Sequence, residues 1–247
     1  MSLISIELVP RNYEQLKHEL NLIKTNFRKI TVVNIPDLLR FEIRSWVACE
    51  VVNKYYSKCI PHIRAIDFDL KSEFKLKEYF QKNNINEILI IRGDDPQVMS
   101  KKIYPTTTIE LSKKIKKEIP DIKIYGGIDQ YRSNIRDELE YIKRKIDAGI
   151  DGFFTQPFFD IRLLEIYAEK IETKNIYWGI SPVISEQSKL YWETRNRAVF
   201  PKDFEHNLEW NVKFSKKVLE FSKNNNYNVY FMPIKIDLKE YLTQTLL

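Results

Sequence analysis

Short runs of β-branched and other apolar residues stand at 3–8, 29–34, 62–66, 87–91, 122–125, 152–155, 176–180 and 229–232, each of strand length. Between them the apolar positions step by three and four. Leu16, Leu20 and Ile23 form one such set, and Ile135, Leu139, Ile142 and Ile146 another, each predicting one apolar face of a helix. The strand-like runs do not alternate strictly with polar residues, so they suit strands covered on both faces. Eight strand–helix units in 247 residues match an α/β (β/α)8 TIM barrel, read here as a single domain over residues 1–247. A doubly wound open sheet is the runner-up. Gly149, after Ala148, reads as the left-handed cap of the helix that precedes the strand at 152.

Composition narrows the class. With 43% hydrophobic and 30% charged residues of both signs, the chain can build a sizeable core and is not disordered. The net charge of +6 is spread over pairs such as Lys101-Lys102, Lys113-Lys114, Lys116-Lys117 and Lys216-Lys217 and never condenses into a run. Surface helices explain these pairs, so the reading is no nucleic acid, and a small anionic substrate suits the modest positive potential. Cys49 and Cys59 form neither a CxxC motif nor a disulfide framework, which points to a reducing compartment. The first residues lack a basic, apolar leader pattern, and no stretch approaches the ~18 apolar residues of a membrane span. The expectation is a cytoplasmic protein with no membrane partner. His18, His62 and His206 are scattered, and HExxH, GxGxxG and GxxxxGK[ST] are all absent, so no metal site is expected.

In a barrel of this kind the carboxyl ends of the strands carry the chemistry. Taken in order they hold Glu7, Asn34, Asp67, Arg92-Gly93-Asp94, Gly126-Gly127 with Asp129, Gln156, Ser181 and the segment 233–235. Glu7 sits in an otherwise apolar strand. Burial there either raises its pKa, making it a general acid, or is relieved by a salt bridge to a strand-end arginine such as Arg92. In the turn after the fourth strand, Gly93 permits close approach of a ligand. Arg92 there could meet a phosphate and Asp94 an amino-substituted heterocycle; an ordinary turn with an internal ion pair is the alternative. Gln156 can read a heterocycle edge with both donor and acceptor, and Phe158 or Phe159 could stack on a ring or belong to the core. The run Lys143-Arg144-Lys145 reads as a solvated helix face.

Taken together, several segments resemble one family in order and spacing. They are Ser5-Ile6-Glu7-Leu8-Val9-Pro10-Arg11, Pro61-His62-Ile63, Arg92-Gly93-Asp94-Asp95-Pro96, Lys143-Arg144-Lys145-Ile146-Asp147-Ala148-Gly149, Thr155-Gln156-Pro157-Phe158-Phe159-Asp160, Gly179-Ile180-Ser181-Pro182-Val183 and Asn196-Arg197-Ala198-Val199-Phe200-Pro201. The series is similar to methylenetetrahydrofolate reductase. The resemblance implies a barrel that holds FAD and uses NAD(P)H to reduce 5,10-methylenetetrahydrofolate to 5-methyltetrahydrofolate. It assigns Glu7 as the general acid that opens the folate's five-membered ring. Asp94 becomes the carboxylate that holds the pterin and tunes the flavin, Gln156 a folate-binding amide, and Lys235 a folate contact where the family has an arginine. His62, Arg92, Gly93, Asp94, Glu138, Arg144 and Lys145 fall on or near FAD contacts. The implied partner is a small folate, and a homo-oligomer is compatible with it. Two loops, 34–40 and 126–131, depart from the family pattern at places that touch the flavin. They motivate an alternative: a folate-binding or methyl-carrying partner subunit that keeps the barrel without reducing anything.

Overall fold

The computed structural model describes residues 2–95 and 102–247. Pro96 of the arginine–glycine–aspartate turn motif and Lys101 of the first lysine pair lie outside the described residues.

All the expected strands form: β1 (Ile4–Glu7), β2 (Ile30–Ile35), β3 (Cys59–Arg64), β4 (Glu87–Ile91), β5 (Lys123–Ile128), β6 (Gly152–Pro157), β7 (Ile176–Ile180) and β8 (Asn228–Phe231). Each pairs in parallel with the next, and β1 pairs with β8, so the sheet is a closed barrel. Around it run α1 (Tyr13–Asn26), α2 (Ser45–Val52), α3 (Lys77–Lys82), α4 (Thr108–Glu118), α5 (Ile135–Asp147), α6 (Ile161–Lys170), α7 (Glu186–Asn196), α8 (Leu208–Asn225) and α9 (Leu238–Leu246). Side-chain caps fix where many of them start. Asn12, Asn134, Asp160, Ser185, Asn207 and Asp237 each accept from a first-turn backbone N–H, and Thr107 forms a reciprocal capping box with Glu110. Gly149, at φ +89°, follows α5 as expected. Among the described residues no helix is long and apolar enough to cross a membrane.

Two buried layers divide the strand residues by parity. The larger lies between strands and helices and takes Val33, Ile63, Ile88, Ile90, Ile124, Phe153, Trp178 and Phe231. Their alternate neighbours Val32, Ile60, Leu89, Tyr125, Phe154, Tyr177 and Tyr230 form a second cluster inside the barrel, where Phe154 and Tyr177 stack at 4.3 Å. Because side chains alternate along a strand, the next inward positions toward the carboxyl ends are Glu7, Asn34, His62, Arg64, Ile91, Gly127 and Gln156. The aromatic plug closes the barrel beneath them.

Three expectations are corrected. β3 runs Cys59–Arg64 rather than 62–66, because Cys59, Ile60 and Pro61 pair with Val33, Asn34 and Ile35. Asp67 therefore lies beyond the strand end, in a 3-10 turn at Ala65–Asp67. On α5 the face turned inward is Glu138, Ile142 and Lys145, while Ile135 and Ile146 are exposed. The expected stripe is therefore half buried, with Ile142 in the core and Leu139 packed against it. Of the two roles open to Phe158 and Phe159, both take the core one, as aromatics there more often do: the first packs on Tyr167 and Trp178, the second on Trp192 and Phe200. Finally, Cys49 and Cys59 form a disulfide ten residues apart, because α2 folds back against β3 and brings their Cα atoms to 5.8 Å.

Candidate active site

A cavity of about 930 Å³ opens at the carboxyl ends of the strands. Of the residues singled out from sequence, Glu7, His62, Arg92, Gly93, Asp94, Lys145 and Gln156 line it. Glu138, Arg144 and Lys235 do not. Glu138 is fully buried behind the wall, Arg144 is exposed on α5 with its guanidinium 5.8 Å from the Tyr141 ring, and Lys235 is exposed at φ +52°. The wall also includes Arg64, Asp129, Arg132, Tyr141, Tyr191 and Trp192.

Glu7 is the last residue of β1 and comes out of the apolar barrel interior. Burial raises its pKa to about 7 against the opposing hydrogen bond from Asn34. The salt bridge to Arg92 considered from sequence is not formed: Arg92 pairs with Asp95 at 3.1 Å, and the Glu7 carboxylate accepts from Asn34 Nδ2 at 3.1 Å. His62 Nε2 lies 3.9 Å from Glu7 Oε2, but burial lowers the His62 pKa to about 3, so the ring is neutral and the contact is not an ion pair. The same Asn34 Nδ2 is 3.2 Å from His62 Nε2, and Asn34 Oδ1 accepts from the Ser5 hydroxyl at 2.7 Å. With both amide hydrogens donated, Nε2 of His62 is the accepting nitrogen.

The turn after β4 is built on a residue that sequence reasoning passed over. Arg64, the last residue of β3 and 5% exposed, donates to the Asp94 carbonyl at 2.5 Å and reaches Asp67 at 3.4 Å. Gly93, at φ +86°, lies directly on it; a Cβ there would stand 3.0 Å from Arg64 Cβ. This clamp leaves the Asp94 carboxylate exposed at the cavity wall, with no side-chain partner among the described residues. Arg64 is in turn tied through Asp67 to Arg44, which grips the buried Asp37 with two hydrogen bonds of 2.9 and 2.6 Å. A cation inside an apolar strand was the signal available. Gly93→Ala is expected to cost about 1–3 kcal/mol, from the positive φ together with displacement of Arg64, and to weaken ligand binding; chemical denaturation and ligand titration would measure both.

On the opposite side, α5 supplies a second buried pair. Glu138 accepts from Asp129 N at 3.2 Å, pairs with Arg132, and stands 4.0 Å from Lys145 Nζ. Lys145 also donates to the Gly127 carbonyl and lies 4.1 Å from the Tyr141 ring centre. Burial lowers the Lys145 pKa to about 8, with Glu138 opposing the shift. Among the described residues no cluster of three or more His, Cys, Asp or Glu could hold a metal ion.

What the wall offers, then, is a carboxyl group that titrates near neutrality, an exposed carboxylate, an amide and several cations around one hollow. That set suits protonation and anchoring of a polar heterocycle. A family model described as methylenetetrahydrofolate reductase matches residues 12–215. Similar relatives include 5,10-methylenetetrahydrofolate reductase of Buchnera aphidicola subsp. Baizongia pistaciae, 24% identical over 81% of this chain and 71% of its own length. The enzyme of the same name from Escherichia coli K12 is 28% identical over 50% of this chain and 42% of its length, and that of Buchnera aphidicola subsp. Schizaphis graminum is 28% identical over 50% and 43%. The matched stretch thus spans less than half of these last two relatives. Among solved structures, a Clostridium thermocellum protein described as binding two copies of 5-methyl-5,6,7,8-tetrahydrofolic acid superposes with TM-score 0.64 at 13% identity, covering 99% of this chain and 94% of that one. A 2,3-dimethylmalate lyase superposes at 0.58 with 8% identity over 94% of this chain and 73% of its own; both likenesses concern the fold. On the strength of the family match over most of its length, carried on a closed eight-stranded barrel, the chain belongs to the methylenetetrahydrofolate reductase family.

Proposed function

We propose that the chain reduces 5,10-methylenetetrahydrofolate to 5-methyltetrahydrofolate, with NAD(P)H as reductant and FAD as hydride carrier. The observation that carries this reading is Glu7: a carboxyl group with a pKa of about 7 at the mouth of an apolar barrel, sharing one cavity with Asp94 and Gln156. Protonated Glu7 delivers its proton to a nitrogen of the folate's five-membered ring. The C–N bond to the bridging carbon breaks, and an iminium remains that accepts hydride at that carbon. Asp94 accepts hydrogen bonds from the amino-substituted edge of the pterin, and Gln156 presents donor and acceptor to the same ring system.

The residues fit a flavin dinucleotide. Gly127 leaves open space on the wall of β5, where an added Cβ would meet only Ile91 Cγ2 at 4.0 Å, so a flat ring can lie against the backbone. Arg92, Arg132 and Lys145 bring cations to the cavity wall for a diphosphate, with Glu138 holding Arg132 and Lys145 from behind. When bound, the flavin supplies hydride chemistry that no side chain offers.

The test is direct. Purified protein given methylenetetrahydrofolate, NADH or NADPH, and added FAD should oxidise the nicotinamide in step with folate reduction. Asp94→Ala should raise the folate Kd by about tenfold or more, the usual cost of deleting a charged partner, with little change in stability because its carboxylate is exposed. No nicotinamide oxidation under any of these conditions would remove the reductase assignment. Folate binding that survived would then favour the partner-subunit reading, a role compatible with the folate described for the Clostridium thermocellum protein.

A further inference from the structure

We propose that Asn34 is a positioning residue for the acid proton: its side-chain amide, held in one orientation by Ser5, gives one N–H to Glu7 Oε2 and the other to His62 Nε2, so that the proton of Glu7 resides on Oε1. This rests on the reading of Glu7 as the acid. Asn34 is wholly buried on β2, beside Ser5 and Glu7 of β1 and His62 of β3. Its Nδ2 stands 3.1 Å from Glu7 Oε2 and 3.2 Å from His62 Nε2. The latch is the Ser5 hydroxyl, which donates to Asn34 Oδ1 at 2.7 Å. If the amide were flipped, Oδ1 would face Glu7 and His62 and would accept the acid proton itself, keeping it from the substrate. Ser5 would then accept from the NH₂ group, and its own buried hydroxyl proton would lose the acceptor it has in Oδ1.

Three consequences follow from donors and acceptors alone. Oε2 accepts from the amide, and a protonated oxygen is the weaker acceptor, so Oε1 is the favoured site of the proton. A protonated His62 would confront the Asn34 N–H, so the ring stays neutral and cannot compete as the acid. The amide also stabilises the ionised form of Glu7, which keeps the carboxyl near neutrality instead of letting burial push it higher. The titratable groups nearest Glu7 are His62 from β3 and the Tyr230 phenol from β8; the charged groups on the same cavity wall are Asp37, Arg64, Arg92, Asp94, Asp129, Arg132 and Lys145.

The experiment reads Glu7 directly, without turnover. Protein labelled with ¹³C at glutamate carboxyls is titrated by NMR, with Glu7→Gln identifying the resonance. Asn34→Leu, which keeps the branched shape at Cγ and removes both donors, should move the Glu7 midpoint up by about one unit or more. Ser5→Ala, which leaves the amide present but unlatched, should shift it in the same direction by less. Where reductase activity is present, the pH at which kcat halves should move with the midpoint, while the folate Kd stays constant. A Glu7 midpoint in folded Ser5→Ala and Asn34→Leu equal to that of the wild type overturns the proposal; if Asn34→Leu does not fold, Ser5→Ala alone decides. An inactive wild type whose midpoint still shifts on substitution sinks the reductase reading and leaves the role of Asn34 toward Glu7 standing.

Discussion

Glu7→Gln is expected to slow folate reduction by about 10²-fold or more while leaving folate binding and the fold intact, because the amide keeps the shape and loses the transferable proton. Stopped-flow or steady-state assays with methylenetetrahydrofolate would measure it, and an unchanged rate would end the role of Glu7 as acid. The wild type should show a matching pH dependence. The protonated form dominates below about pH 7, so turnover falls as pH rises through that value. The same shift predicts a stability effect whose sign can be worked out. The folded-state pKa lies above the ordinary 4.5, so the folded protein holds the proton more tightly than the unfolded chain between that value and about 7. Stability attributable to this group is present below the window and lost as pH rises through it. Above pH 7 the variant should therefore be more stable than the wild type, by at most roughly 3 kcal/mol, and by less because the side chain is 11% exposed at the cavity wall. Denaturation at pH 5 and pH 8.5 separates the two behaviours.

Glu138→Gln should carry the largest stability cost. Glu138 is fully buried and holds Arg132, Lys145 and the Asp129 amide together; the isosteric amide leaves Lys145, 3% exposed, as a buried cation that has lost its ion-pair partner, with the weaker pull of the Asp129 carboxylate remaining. The expected loss is about 3 kcal/mol, the lower part of the range for breaking a buried pair, since Arg132 remains solvated. That corresponds to roughly 6–12 °C in Tm. The pH signature distinguishes it from simple misfolding. Lys145 already has a lowered pKa of about 8, and without Glu138 it drops further. An ammonium with a depressed folded-state pKa destabilises at low pH, and stability returns as it deprotonates. The deficit of the variant should therefore shrink between neutral pH and about pH 9, followed by thermal melting; a deficit independent of pH would show that the charge of Lys145 is not what Glu138 compensates.

How much of this was legible beforehand differs from one residue to the next. The strands were readable because apolar runs of strand length recur at barrel spacing, and burial on both faces allows little else. Glu7 stood out because a carboxyl group in an apolar strand costs free energy unless something answers it, but the sequence left the answer open between a salt bridge and protonation. Arg92 was the visible candidate partner. The fold gives that arginine to Asp95 and sets Asn34 against Glu7 instead.

Ser5 and Arg64, and the role of Asn34 though not its place at a strand end, were hidden for a common reason. Each is an ordinary polar residue on its own strand, and each acquires its role only when neighbouring strands are brought into register. The inward face of α5 was misread because a sequence ranks Ile above Glu and Lys for burial, whereas closing the barrel gives Glu138 and Lys145 each other as partners. The disulfide between Cys49 and Cys59 depends likewise on α2 returning to β3. By itself the sequence determined the alternation of eight strands with helices and most of the polar residues at the strand ends, since periodicity and burial are local properties of the chain. Tertiary structure alone decided which of those residues meet, because hydrogen bonds and ion pairs act over a few ångströms and their partners come from different strands.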